Sequence, residues 1–380
     1  MMIKTARYVA LDTSHLNSLA TDKFSDDSAL RARAQSFEQR LLESNSVLLL
    51  CWHHLEEMLR HGDDSLVENR VAYIRSIPYL AWVRVVDGSS SLGSVVDVMA
   101  REAFAAFNAP SSTVNEVRVA AATEMFKFGS GEDLMEPLLE WLPLMVKLFR
   151  NGEQHTKAVA AIAHSSPNPV NDLKIVDVLA MRAPSETERE TRLRALEAML
   201  SAEIRQRGDS KLRTPEAVAS DHVQQAREAL RVAYACSADG ASVALTILMQ
   251  QGISEEDISA SMTVGEAGDL ASFRSHLKVS TDRLGMDWIA VKSRVSREQL
   301  PSWQIQHALT RYRQDIPERA GSEIADRYLA CLAPYASETY VDKRTLENFN
   351  RAKLKVPALS GIVNSIKKKS TYSLIDFSLM

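Results

Sequence analysis

Two strand-like segments of this chain stop on an aspartate. Tyr8-Val9-Ala10-Leu11 runs into Asp12-Thr13-Ser14, and Glu338 to Val341 runs into Asp342-Lys343-Arg344. A third segment, Val47 to Cys51, leads into Trp52-His53-His54-Leu55-Glu56-Glu57-Met58-Leu59. In α/β sheets, groups at the carboxyl ends of strands face one crevice, so acids distant in sequence can converge there. Several carboxylates in one crevice repel each other and stay ionised together only beside a cation. Hard oxygen donors suit Mg²⁺ or Mn²⁺. Such an ion can activate a water and hold a phosphate oxygen during in-line hydrolysis. The competing reading makes Asp12 and Asp342 helix caps or turn residues, and spacing alone leaves both readings open.

Other chemistries find little in the sequence. There is no Gly-x4-Gly-Lys-Ser/Thr loop, no Gly-x-Gly-x2-Gly, no His-Glu-x2-His and no Cys-x2-Cys pair. His53-His54 reads as a partly exposed helix face, with a metal role as the alternative. Gly129-Ser130-Gly131 reads as a turn between helices rather than an anion site. Residues 341–380 carry eight Lys/Arg against three Asp/Glu, a local +5 in a chain whose net charge is −4. Lys367-Lys368-Lys369 is either a solvated run or an RNA contact. The near-neutral total excludes a basic protein that coats nucleic acid.

The elements that must position these acids follow from the apolar pattern. Residues 8–11, 47–51 and 79–86 read as buried strands, and 338–341 as a short one. Helical stretches are expected over 28–42 and from Trp52 through Leu59, where the apolar positions 52, 55, 58 and 59 share a face. From about 92 to 320 alanine, leucine, glutamate and arginine dominate and strand signals almost vanish. Helices are expected there, among them 95–107, 113–127, 132–150, 186–206, 215–236 and 297–313. Only 14 of 380 residues are glycine, which favours a helix-rich chain. Three scattered cysteines, Cys51, Cys236 and Cys331, fit a reducing compartment. No signal peptide or spanning segment is evident, so a soluble cytoplasmic protein is expected.

The order of these elements resembles the PIN-domain nucleases, VapC-type toxins among them. The residues that carry the resemblance are YVALDTSHL (8–16), VLLLCWHHLEEML (47–59) and DRYLACLAPYASETYVDKRT (326–345). The resemblance implies an α/β fold, a PIN-like parallel sheet flanked by helices, and a metal-dependent ribonuclease with three or four acids around Mg²⁺ or Mn²⁺. Carried over by position, Asp12 is the first acid, with Thr13 or Ser14 as its hydroxyl neighbour. Cys51 stands where the family often has serine. Glu57 is the second acid, with Glu56 as the alternative register. Asp326 is the third, with Glu323 one turn earlier as its alternative, and Asp342 is the fourth. Lys343 and Arg344 are placed to touch the substrate backbone.

This chain departs from the family in separating its second and third acids by about 270 residues. The expected organisation is a nuclease module split into residues 1–91 and 321–380 by a helical insertion over 92–320. Asp87, Asp97, Glu102, Asp172 and Asp177 are further acids that could line the cleft. The expected activity is metal-dependent endoribonuclease action on RNA, in a toxin or anti-phage defence setting. An inhibitor or defence-complex protein, or a second copy of the chain, is a possible partner, and no membrane is involved. The alternatives are a non-catalytic PIN-like scaffold whose helical block binds proteins, and a DNA-directed flap-type nuclease.

Overall fold

Six strands form one mixed sheet in the computed structural model, which describes residues 6–89, 91–163, 171–181, 184–208, 212, 214–237, 240–314 and 323–377. They are β1 (Arg7–Leu11), β2 (Ser46–Leu50), β3 (Leu80–Val83), β4 (Phe126–Gly129), β5 (Glu338–Tyr340) and β6 (Ile366–Lys367). Their order across the sheet is β4-β3-β2-β1-β5-β6. All neighbours are parallel except β3 and β4. The expectation of a parallel sheet therefore holds for five strands and fails at one edge.

The near-continuous apolar runs of β1, β2 and β3 follow from burial on both faces of a parallel sheet. Side chains alternate between two cores. Val9, Leu11, Leu48, Leu50, Leu80 and Trp82 pack on one face with Leu16, Leu19, Phe37, Met58 and Tyr73. Ala10, Val47, Leu49, Ala81 and Val83 pack on the other with Val98, Ala121, Met125 and Leu332. The first core is covered by α1 (Thr13–Lys23), α2 (Ser28–Glu43), α3 (Trp52–Leu59) and α4 (Asp64–Ser76). The second is covered by α5 (Val95–Asn108) and α6 (Val114–Met125), joined by residues near the end of α8 (Glu323–Ala330). A third cluster joins α7 (Pro301–Arg311) and α9 (Lys343–Lys355) through Ile305, Leu309, Phe349 and Ala352.

One strand runs against the sequence expectation. The helix expected over 113–127 ends at Met125, and Phe126-Lys127-Phe128-Gly129 pairs antiparallel with β3. That short alternating stretch follows a long run of helix formers, which conceals it. The turn after it is fixed by a close approach. The Gly131 nitrogen donates to the Ile77 carbonyl at 2.8 Å, and a Cβ on Gly131 would stand 1.7 Å from the Ile74 carbonyl oxygen. Only glycine fits there.

The chain divides into two compact units. One holds the sheet and gathers residues up to Glu153, Ser280–Gln314 and residues from Glu323 onward. Helices α5, α6 and α7 therefore lie in the sheet's unit. The other holds Gln154–Val279. It is built on the helices Glu186–Arg207 and Pro215–Cys236, which bury Leu193, Leu200, Ile204, Ala219 and Val223. Among the described residues no helix is long and apolar enough to cross a membrane.

Candidate active site

The acids meet where the chain reverses direction across the sheet. It runs outward from β1 to β2 to β3, then returns on the other side of β1 as β5. Ligands of open α/β sheets bind at the carboxyl end of such a switch point. Asp12 follows β1 there, and Asp342 lies two residues beyond β5. Both are helix caps, and each cap engages only one carboxylate oxygen. Asp12 Oδ1 accepts from the Ser14 nitrogen at 2.7 Å, and Asp342 Oδ1 accepts from the Thr345 nitrogen at 2.6 Å. The amino ends of α1 and α9 thus point at the site and favour negative charge within it.

Asp12, Glu57 and Asp326 line one pocket together with Thr13, His53 and His54. Its volume of about 10 Å³ admits one water-sized particle. Glu57 accepts from Thr13 Oγ1 at 2.6 Å. Thr13 is thus the hydroxyl bonded within the acid group, while the Ser14 side chain is exposed. Glu56 turns away, 2.6 Å from Arg60 Nη2 and 3.5 Å from His53 Nδ1. His53 and Arg60 together hold its carboxyl below the ordinary range. Burial, reinforced by the Asp12 charge and opposed by the Thr13 bond, pushes Glu57 upward.

Asp326 shows the electrostatics most clearly. Burial comes first, then the charges of Asp342, Asp12 and Glu57, and together they push it up to about 8. Arg344 opposes them without prevailing. Its Nη2 donates to Asp326 Oδ2 at 3.1 Å, its Nη1 stands 3.3 Å from Glu323 Oε1, and its Nε stands 3.9 Å from Asp342 Oδ2. The residue expected to touch substrate is thus engaged with three acids of its own chain. Lys343 is exposed, 3.7 Å from Glu347. Because β6 is parallel to β5, Lys368 and Lys369 leave the sheet at the same end as Asp342. Lys367 is bonded to Glu338 at 2.7 Å.

His54 is a neighbour of the acids that the sequence did not reveal. It is buried, not on an exposed helix face. The Cys51 nitrogen donates to its Nδ1 at 3.0 Å, which leaves Nε2 to donate to the Leu11 carbonyl at 3.0 Å. Burial drives its pKa down to about 4, so the ring is neutral. The neutral ring ties the start of α3 to the end of β1, and so fixes Glu57 relative to Asp12. The only signal was its place at the third helical position, beside the apolar stripe of Leu55, Met58 and Leu59. His53 stacks on Tyr328, ring centres 4.4 Å apart, at the pocket's rim. Cys51 is fully buried, and burial raises its thiol to about 12, so it is no nucleophile.

The further acids suggested by sequence have other partners. Glu102 is fully buried and accepts from the Ser302 nitrogen, Ser302 Oγ and Tyr335 Oη, sealing the amino end of α7. Asp97 closes a capping box with Ser94 and pairs with Arg283 at 3.0 Å. Asp87 caps a turn at Ser89. Asp172 and Asp177 belong to the other unit. A wider groove of about 570 Å³ lies along α5 and α6, with Arg101 and Glu124 paired at 3.3 Å. It gathers no set of acids.

The four acids converge without forming a finished ligand group. Among the described residues, no three His, Cys, Asp or Glu side chains stand arranged to hold a metal ion as they are. The carboxylates instead face Ser14, Thr13, Thr345 and Arg344. The acids still have the chemistry of a hard-cation site: they are carboxylate oxygen donors, and burial together with the neighbouring acid charges lifts Asp326 to about 8. Comparison with protein-family models, curated proteins and solved structures returned no match.

Proposed function

We propose that the sheet unit is a PIN-like, metal-dependent nuclease acting on RNA, with Asp12, Glu57, Asp326 and Asp342 as its acids. The observation that carries this reading is the convergence of Asp12, Glu57 and Asp326, from three separate chain segments, on one water-sized pocket at the switch point, with the Asp342 charge acting on Asp326 beside it. Burial and then the charges of the neighbouring acids push Asp326 upward, and a divalent cation would offset both. Mg²⁺ or Mn²⁺ held by these carboxylates would supply Lewis-acid activation of water and of a phosphate oxygen.

The chain's own residues supply orientation. Thr13 fixes the rotamer of Glu57, and His54 fixes the spacing of β1 and α3. The amino ends of α1 and α9 favour anions at the site. Lys343, Lys368 and Lys369 stand at the same end of the sheet, where a phosphate backbone would pass. RNA is preferred to DNA on the motif resemblance.

The test is cleavage of labelled single-stranded RNA and DNA in Mn²⁺. RNA is cut, chelation stops the reaction, and Asp12→Asn lowers the rate by about 100-fold or more. Cleavage of DNA alone transfers the reading to the flap-type nucleases. Cleavage of neither, with Asp12→Asn indistinguishable from the parent, leaves the unit as a scaffold.

A further inference from the structure

We propose that Arg344 is a built-in counter-ion that competes with the divalent cation for the acid cluster, so that metal loading requires the guanidinium to withdraw. This inference rests on the nuclease reading of the site. All three guanidinium nitrogens face carboxylates, one each on Glu323, Asp326 and Asp342. Two of those acids belong to the proposed metal set.

Arg344 also occupies an unfavourable position on its own helix. It follows Lys343 as the second residue of α9, where the helix dipole presents partial positive charge. A cation placed there is held by the acids around it, not by the helix. Asp12 and Glu57, which line the pocket with Asp326, make no ion pair among the described residues. The cluster is therefore compensated at Asp326 and Asp342 but not at Asp12 and Glu57. A divalent ion entering the cluster meets Asp326 and Asp342 already turned toward Arg344, and it must overcome both that pairing and repulsion from a positive charge. This accounts for acids that converge yet do not stand as a finished ligand group.

The experiment is Mn²⁺ titration of the full chain by calorimetry, with Arg344→Gln, Arg344→Lys and Asp12→Asn beside the parent. The expected result is Mn²⁺ binding about tenfold or more tighter in Arg344→Gln, with Arg344→Lys close to the parent and Asp12→Asn greatly weakened. Tightening separates this role from a structural one, because a damaged site can only bind more weakly. Unchanged or weaker binding in Arg344→Gln, with Asp12→Asn still weakened, overturns the competition but keeps the metal site. Absence of binding in every form overturns both. Should Arg344→Gln fail to fold, Mg²⁺ titration of the ¹⁵N-labelled parent decides: the Arg344 Nε–H signal shifts and exchanges faster as Mg²⁺ saturates, and an unmoved signal overturns the proposal.

Discussion

His54 shows how one neutral side chain sets the geometry of charged ones. Its Nε2–H bonds to the carbonyl just before Asp12, while Nδ1 accepts from the backbone at the start of the helix that carries Glu57. His54→Ala leaves the Leu11 carbonyl and the Cys51 N–H without these partners and opens a cavity. A loss of about 2–3 kcal/mol is expected, read as a shifted denaturation midpoint. Nuclease rate should fall more steeply than the remaining folded fraction explains, because Glu57 is no longer held opposite Asp12. If activity tracks the folded fraction alone, His54 has only a structural part. Asp12 and Asp342 teach a related lesson. Each uses Oδ1 as a helix cap, so the everyday role and the proposed catalytic one do not exclude each other.

At the scale of elements, much of the site was legible because parallel strands buried on both faces must be continuous apolar runs. Tyr8 to Leu11 and Val47 to Leu50 carry that signature, Glu338-Thr339-Tyr340 does not although it is buried, and the residues after all three fall at one end of the sheet. The register of α3 was not legible. Glu56 and Glu57 are adjacent, and their separation depends on Arg60 and His53 drawing Glu56 aside. The charge partner of Arg344 was hidden for the same reason: Glu323 and Asp326 reach it only through the fold. Strand β4 was masked by helix formers on its amino side. Its turn yields a direct test. Gly131→Ala drives a methyl group into the Ile74 carbonyl, where no side chain can yield. A destabilisation of about 2–3 kcal/mol is expected. An unchanged melting temperature would mean that the backbone between α4 and β4 yields at little cost.

Across the whole molecule, buried titratable groups make stability depend on pH in a way that metal should reverse. Asp326 is raised from the ordinary 3.8 to about 8, and burial raises Glu102 from 4.5 to about 7. A carboxyl whose pKa is raised on folding binds more protons in the native state, so its stabilising contribution is full below about pH 4 and is lost as pH climbs through the folded value. His54 runs the opposite way. Lowered from 6.5 to about 4, it contributes fully above pH 6.5 and loses that contribution as pH falls toward 4. The two effects oppose each other between about pH 4 and 6.5. Above that the acids act alone, so the metal-free protein should lose on the order of 2 kcal/mol between pH 6.5 and 8. Differential scanning calorimetry in chelator should record a melting temperature that falls by a few degrees over that interval. Asp326→Asn should flatten the slope, leaving mainly the part that belongs to Glu102. Added Mn²⁺ should raise the melting temperature more at pH 8 than at pH 5.5, because the ionised carboxylates that destabilise the free protein are the ones that bind the ion. A Mn²⁺ effect equal at both pH values, or larger at pH 5.5, would separate the acid cluster from the metal and leave its repulsion answered by Arg344 alone.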